Sequence, residues 1–210
     1  YYNSAGVLST AAINAPRFDY NPSTLQANGL LIEESRTNLL TYSEQFDNAF
    51  WFKGACSITP NVTTAPDNNI TADKFVANSG VAGYVSETNT SYVAGNTYTI
   101  SVYAKAAERD YVSLLVLGTN FGGTLIGRTY TLTGNGVISS LSGTIAPTNQ
   151  TITPIGNGWY RCSITVVCTN SFSGNAFQIR DAVNGDGVSG RYIWGAQLEA
   201  GSFATSYIPT

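Results

Sequence analysis

The 210-residue sequence contains neither histidine nor methionine, and only 11% of its residues are charged. The absence of histidine excludes Ser-His-Asp and Cys-His catalysis, histidine-ligated zinc and histidine proton shuttles. Ten scattered Lys and Arg residues and a net charge of −3 do not suit nucleic acid or an anionic membrane surface. No apolar run approaches the roughly 20 residues that span a bilayer, so we expect no membrane insertion. Because the sequence starts at Tyr1 and lacks methionine, we expect it to be a piece of a longer protein.

Cysteine is also scarce, and its three positions are Cys56, Cys162 and Cys168. Cys162 and Cys168 fall in one predicted strand, about 20 Å apart at the usual rise per residue, which is beyond disulfide reach. A disulfide between Cys56 and one of the other two cysteines is not excluded by this distance, and it would leave the third thiol unpaired. We expect three free thiols in a chain that matures in a reducing cytoplasm.

Apolar and turn-forming residues are abundant, with 43% hydrophobic residues, 12% aromatic residues and 21 glycines. From residue 80 onward, polar and apolar residues alternate in short runs at 97–105, 111–117, 160–169 and 176–180. Turns rich in Gly and Asn separate these runs, and no stretch has a convincing helical period. This pattern predicts an all-β sandwich or barrel.

The first 40 residues have a different pattern. Two runs at 17–20 and 30–34 flank a turn-rich stretch at 21–29, which predicts a hairpin. We therefore expect residues 1–40 to form an extended N-terminal arm with a hairpin that docks elsewhere. Residues 41–210 are expected to form the β-sandwich.

Several stretches of the sequence resemble known families. Residues 17–22 and 29–40 look like the lead-in of bacteriophage tail fibre and tailspike proteins, and residues 156–164 and 192–210 resemble the closing strands of that domain. Residues 94–106 are similar to the central strand of jelly-roll carbohydrate-binding modules. The resemblance implies a phage adhesion module whose fold is an all-β jelly-roll β-sandwich.

The same resemblance also implies a calcium-binding position. Jelly-roll modules of this type often hold a structural calcium near the first strand, with an acidic ligand in an Asn-Leu-Leu…Phe-Glu pattern. Residues 38–40 followed by Phe46 and Asp47 fit that pattern, so the resemblance implies Asp47 as a ligand. The family's partner acid is missing, since residues 192–195 read Tyr-Ile-Trp-Gly, and calcium needs six to eight oxygen ligands. A structural calcium at Asp47 and a turn-capping carboxylate both stay open, and no other cofactor is expected.

A candidate sugar-binding face follows from strand alternation. Sugar sites combine aromatic rings, which stack on pyranose C–H edges, with amide and guanidinium groups that bind hydroxyls. Alternation points such side chains outward, opposite the apolar positions. The predicted glycan-binding residues are Tyr84, Tyr103, Lys105, Gln178 and Arg180. The alternative is a sheet face that is solvated or covered by another subunit.

These features predict a non-catalytic adhesion module of a phage tail fibre or tailspike that binds bacterial surface polysaccharide or lipopolysaccharide. Low charge and the fibre resemblance predict a homotrimer in the virion, assembled in the host cytoplasm. One alternative is a structural or oligomerisation module of the fibre that binds no sugar. A third hypothesis, part of a polysaccharide depolymerase, lacks a carboxylate pair, because the adjacent Glu33 and Glu34 would point to opposite faces of a strand.

Overall fold

The computed structural model describes residues 1–123 and 125–210, and nearly all of its regular structure is β-strand. The strands are β1 (Phe18–Tyr20), β2 (Ala27–Leu30), β3 (Phe52–Gly54), β4 (Cys56–Thr63), β5 (Ala72–Ala77), β6 (Tyr84–Ser86), β7 (Thr90–Tyr92), β8 (Thr97–Ala106), β9 (Tyr111–Leu117), β10 (Leu125–Thr131), β11 (Val137–Leu141), β12 (Asn149–Pro154), β13 (Trp159–Val167), β14 (Phe172–Gly174), β15 (Phe177–Arg180) and β16 (Gly190–Ala200). Within these residues the only helical segment is a 3-10 turn at Gly118–Asn120, and no helix is long and apolar enough to cross a membrane.

Two six-stranded antiparallel sheets form the body of the protein. The first sheet has the strand order β11-β10-β9-β15-β6-β3, and the second has the order β12-β13-β8-β16-β5-β4. Two small pairs, β1–β2 and β7–β14, lie outside these sheets. Apolar side chains from both inner faces pack into one core. The predicted all-β jelly-roll sandwich is therefore confirmed.

Period-two alternation explains how each sheet contributes to this core. In β8, the side chains of Ile100, Val102 and Ala104 are buried between the sheets. Leu114 of β9 and Ile179 of β15 are buried against them from the first sheet. Full burial of one such branched side chain contributes about 1.5–3 kcal/mol. The intervening residues of each strand point to an outer face.

The outer face of the second sheet is covered rather than solvated. Tyr103 and Trp194 on that face form a second apolar cluster with Tyr207 of the C-terminal tail and Leu8 of the N-terminal arm. Contrary to the expectation that the arm docks elsewhere, its first residues lie on the sandwich. The physical reason is that two large rings on the outer face of β8 and β16 need apolar cover.

Hydrogen bonds hold the arm and the tail together on this face. The carboxylate of Glu33 accepts bonds from the main-chain N–H and the hydroxyl of Ser206, at 2.8 and 2.6 Å. Glu33 also forms an ion pair with Arg17 at 2.9 Å. Nearer the N-terminus, the main-chain N–H of Leu8 bonds to the carbonyl of Pro66 at 3.0 Å. The arm is thus tied to the tail and to the loop that follows β4.

A fully buried ion pair joins the two sheets. Nη2 of Arg191 on β16 lies 2.9 Å from Oδ2 of Asp181, which directly follows β15. The hydroxyl of Tyr111 donates to Oδ1 of the same carboxylate at 2.6 Å. The guanidinium also lies 4.9 Å from the ring centroid of Tyr111 and 5.1 Å from that of Phe75. Removing either charge alone would leave the other buried and unpaired, which is strongly destabilising.

The three cysteines are not bonded to one another. Cys162 and Cys168 are buried, and Cys56 donates its half-buried thiol to the carbonyl of Tyr84 at 3.1 Å. Burial raises the pKa of Cys56 to about 11. Thiolate is therefore scarce at neutral pH, which makes this thiol a poor nucleophile.

Candidate functional site

The structure separates the five predicted glycan-binding residues into two groups. Tyr84 of β6 lies beside Gln178 and Arg180 of β15 on the outer face of the first sheet. Tyr103 and Lys105 lie on β8 in the second sheet, whose outer face points the opposite way. The expectation that all five share one platform is therefore wrong. Alternation shows which side chains leave the core, but it does not show to which sheet a strand belongs.

Tyr103 points outward as predicted, but it is only 1% exposed. Its ring packs edge-on against Trp194, with centroids 5.4 Å apart, and against Tyr207 at 5.8 Å. The guanidinium carbon of Arg161 lies 5.3 Å from the Tyr103 ring centroid. No ring face is left for a sugar, so Tyr103 is a packing residue here. Lys105, two residues further on, borders a cavity between the arm and the second sheet.

The other three predicted residues point to the same outward side of the first sheet. One cross-strand row pairs Phe52 with Ser86, Ser86 with Gln178, and Gln178 with Leu115. The next row pairs Tyr84 with Arg180. We call this side of the sheet the Tyr84 face, and its members are Phe52, Tyr84, Ser86, Leu115, Gln178 and Arg180. Ser86, Leu115 and Gln178 are buried there, so its accessible part is made by Phe52, Tyr84 and Arg180.

An aromatic pair, made of the exposed Phe52 and the half-buried Tyr84, lies at one side of the Tyr84 face. Phe52 is 50% exposed, and its ring centroid lies 5.9 Å from that of Tyr84 with the planes tilted by 40°. The Tyr84 ring lies over Gly54, where an added Cβ would come within 2.4 Å of the ring. On β15, the guanidinium carbon of Arg180 lies 5.9 Å from the Tyr84 ring centroid. The missing side chain at Gly54 therefore sets the position of the Tyr84 ring.

Phe52 was not among the predicted site residues. Its neighbours in sequence, Phe50 and Trp51, pack in or against the core. From the sequence alone, Phe52 could not be separated from this aromatic cluster. The available signal was the run Phe52-Lys53-Gly54, because a strand there places Phe52 and Gly54 on the same face.

A cavity of about 390 Å³ opens beside Arg180 on this side of the sheet. Leu115, Arg180 and the segment 140–143 line it. The segment is held near the sheet by the main-chain N–H of Ser142, which bonds to the carbonyl of Gly127 at 3.3 Å. Arg180 forms no ion pair or hydrogen bond with the rest of the described chain. Its guanidinium is therefore free to bind a ligand.

Two buried polar atoms near the middle of the Tyr84 face lack hydrogen-bond partners among the residues that the structure describes. They are Oε1 of Gln178, a side chain that is 4% exposed, and the hydroxyl of Ser86. The two residues are paired directly across β15 and β6. An unpartnered buried polar group costs about 1–3 kcal/mol. Because both atoms are buried, neither lies on the accessible part of the Tyr84 face, contrary to the predicted role of Gln178 in glycan binding.

Asp47, the calcium ligand implied by the resemblance, has an exposed side chain. Its carbonyl oxygen accepts a hydrogen bond from Nζ of Lys53 at 2.7 Å. The carboxylate of Asp73 is buried and accepts main-chain N–H bonds from Phe46 and Asn61, each at 3.0 Å. Burial raises the pKa of Asp73 to about 6. The described part of the chain holds no group of three His, Cys, Asp or Glu side chains that suits a metal, and calcium at Asp47 stays a prediction.

Two solved structures illustrate the likeness of this chain to known proteins. No family model and no curated protein matches the chain. The chain is similar to the enzymatically active domain of tailspike protein 4 of bacteriophage CBA120, with 16% identity, a TM-score of 0.45 and 77% of this chain covered. The match spans 21% of the tailspike chain. The second likeness is to TmCBM61 in complex with β-1,4-galactotriose, with 14% identity and a TM-score of 0.36, over 75% of this chain and 98% of that one. Likenesses at this level do not identify a site.

Proposed function

We propose that this protein is a non-catalytic module of a phage tail fibre or tailspike that binds bacterial surface polysaccharide or lipopolysaccharide through the Tyr84 face. The observation that carries the proposal is the placement of an aromatic pair, the exposed Phe52 and the half-buried Tyr84, next to an open cavity and to the Arg180 guanidinium, which has no hydrogen bond or ion pair among the described residues. The resemblance of the sequence to tail fibre proteins supports a location in the virion.

The chemistry of the Tyr84 face suits carbohydrate. The rings of Phe52 and Tyr84 offer apolar surfaces to pyranose C–H edges at small entropy cost, because aromatic side chains have few rotatable bonds. Arg180 offers directional donors to hydroxyl or carboxylate oxygens. Each contact is weak, so firm adhesion depends on several copies of the module acting together.

The carboxylates near the Tyr84 face support a non-catalytic role. Glycoside hydrolysis requires two carboxyl groups about 5 to 10 Å apart beside the scissile bond. Within the described residues, Asp181 is the one carboxylate that lines the cavity. That carboxylate is bound to Arg191 and to the hydroxyl of Tyr111. An acid and nucleophile pair is therefore not available at this cavity.

Binding to bacterial polysaccharides on a glycan array, followed by titration of the best polysaccharide, tests the proposal. Phe52→Ala and Arg180→Ala should each fold normally and weaken binding by about fivefold or more, since each removes an outward group with little packing. Tyr84→Ala should weaken binding by about tenfold, because its ring contacts both of the others. Phe18→Ala is the matched control, since it removes a similarly exposed ring from the arm. Wild-type affinity in all three variants, or no binding by the wild type, would reject the proposal.

The structural or oligomerisation role has one observation in its favour. Large apolar side chains are exposed on the arm, with Ile13 93% and Ile32 82% exposed and Phe18 and Leu30 paired across β1 and β2. Soluble monomers rarely expose large apolar patches. Under this alternative the chain is a homotrimer whose arms pack against sister chains. Light scattering should then show a trimer for the wild type and a monomer for Ile32→Asp, whereas a monomeric wild type would contradict it.

A further inference from the structure

A second cavity lies between the N-terminal arm and the outer face of the second sheet. We call it the arm cavity, and its volume is about 460 Å³, within the usual range of small-molecule sites. It is lined by Lys105 of β8 and by residues from the segments 5–7, 22–25, 64–68 and 155–159. The arm cavity and the Tyr84 face therefore lie on opposite sheets.

Specific contacts hold the walls of the arm cavity in place. The indole N–H of Trp159 donates to the carbonyl of Thr64 at 3.1 Å. Gly156 has a φ of +85°, and a Cβ there would lie 3.1 Å from the carbonyl oxygen of Pro22. The turn at Gly156 thus approaches the arm closely only because it lacks a side chain. These contacts place the turn at Gly156 against the arm and join Trp159 to the loop after β4.

The lining combines an apolar floor with a polar rim. Ala65, Ile155 and Trp159 are buried and belong to the second apolar cluster. Asn68 and Asn157 lie at the exposed rim, and their side-chain amides form no hydrogen bond with any other described residue. Apolar surface beside free amide groups is the combination that recognises the C–H and hydroxyl groups of a sugar ring.

Lys105 gives the arm cavity its charge. Its methylene chain packs on Gly158, where an added Cβ would lie 3.5 Å from Cε. Lys105 forms no ion pair or hydrogen bond within residues 1–123 and 125–210, and neither Asp nor Glu is among the described residues that line the cavity. An unpaired ammonium in a cavity without acidic groups favours an anionic ligand.

We propose that the arm cavity binds a carboxylate-bearing sugar unit of the uronic acid class, with the carboxylate on Lys105 and the hydroxyls on Asn68 and Asn157. A neutral sugar would leave the ammonium without a partner. Phosphate sites usually combine Arg forks or several main-chain N–H groups, whereas this cavity offers a single ammonium. The site goes beyond the proposed function of the Tyr84 face, since it uses another sheet and other residues.

Titration with glucuronate, followed by the NMR signals of the tryptophan indole N–H groups, tests this site. The Trp159 signal is assigned by its loss in Trp159→Phe. We expect glucuronate to shift that signal saturably, while glucose and inorganic phosphate shift it far less. Trp51 and Trp194 do not line the cavity and serve as internal references.

Variants of Lys105 make the test specific. Lys105→Gln should weaken glucuronate binding by about tenfold or more, because a hydrogen bond to a charged group is lost, and Lys105→Arg should keep most of it. Lys74→Gln, which removes a lysine of the same sheet outside the cavity, should bind like the wild type. Equal binding of glucose or phosphate, unchanged affinity of Lys105→Gln, or no shift at about 50 mM glucuronate would overturn the proposal. Because Phe52, Tyr84 and Arg180 are elsewhere, each of these results leaves the test of the Tyr84 face unaffected.

Discussion

Replacing Arg191 with methionine should strongly destabilise the protein. The substitution keeps an apolar stem but removes the guanidinium, so the carboxylate of Asp181 remains buried without its charged partner. Breaking a buried ion pair in this way costs about 3–5 kcal/mol. The cation–π contacts with Phe75 and Tyr111 are also lost, although a methionine stem and sulfur replace part of that packing. Since 1 kcal/mol lowers Tm by about 2–4 °C in a domain of this size, Tm should fall by about 6–20 °C.

Thermal unfolding followed by circular dichroism, with urea unfolding as a second measure, tests this magnitude. Lys74→Met is the matched control, because Lys74 and Glu108 form an ion pair at 2.8 Å whose side chains are 23% and 51% exposed. The control should cost less than about 1 kcal/mol. Arg191→Met combined with Asp181→Asn should be more stable than Arg191→Met alone, since no unpaired charge is then buried. A loss below about 1 kcal/mol in Arg191→Met, or no recovery in the double variant, would refute the reasoning.

Three further predictions concern the Tyr84 face, pH and the thiols. Gly54→Ala should displace the Tyr84 ring and weaken polysaccharide binding as Tyr84→Ala does; an unchanged affinity would show that the ring position does not matter. Because burial raises the pKa of Asp73 to about 6, against about 3.9 in an unfolded chain, its ionisation should lower the free energy of unfolding as pH rises from about 4 to 6. Urea unfolding at both pH values should show that Asp73→Asn lacks this part of the decline, and an identical pH profile would contradict it. Mass spectrometry after alkylation should find three thiols that react fully only in the unfolded protein. A disulfide that involves Cys56 would contradict the prediction of three free thiols.

Local alternation in the sequence was enough to predict the all-β sandwich and the direction of many side chains. Ile100 and Val102 point into the core and Tyr103 points away from it, because successive side chains of a strand point to opposite faces. The same rule placed Tyr84 and Arg180 on an outer face. These are properties of a few consecutive residues, and they hold whichever strands become neighbours.

Part of the candidate site depended on contacts between distant parts of the chain. The sequence did not show that β8 belongs to one sheet while β6 and β15 belong to the other, so Tyr103 and Lys105 were grouped with residues on the opposite side of the sandwich. It also did not show that Tyr207 and the arm cover Tyr103. Phe52 belongs to the Tyr84 face because β3 pairs with β6, which places its ring beside Tyr84. The sequence did not show that pairing.

The physical reason for this division is the range over which each interaction acts. Strand formation and alternation follow from backbone geometry and the polarity of neighbouring residues. Sheet order, and the cover of an outer face by the arm and the tail, are set by apolar burial and strand pairing between segments far apart in sequence. The sequence alone therefore determined that Tyr103 points away from the core. Only the tertiary structure decided that Tyr103 is buried, and that Tyr84 and Arg180 share a face with Phe52.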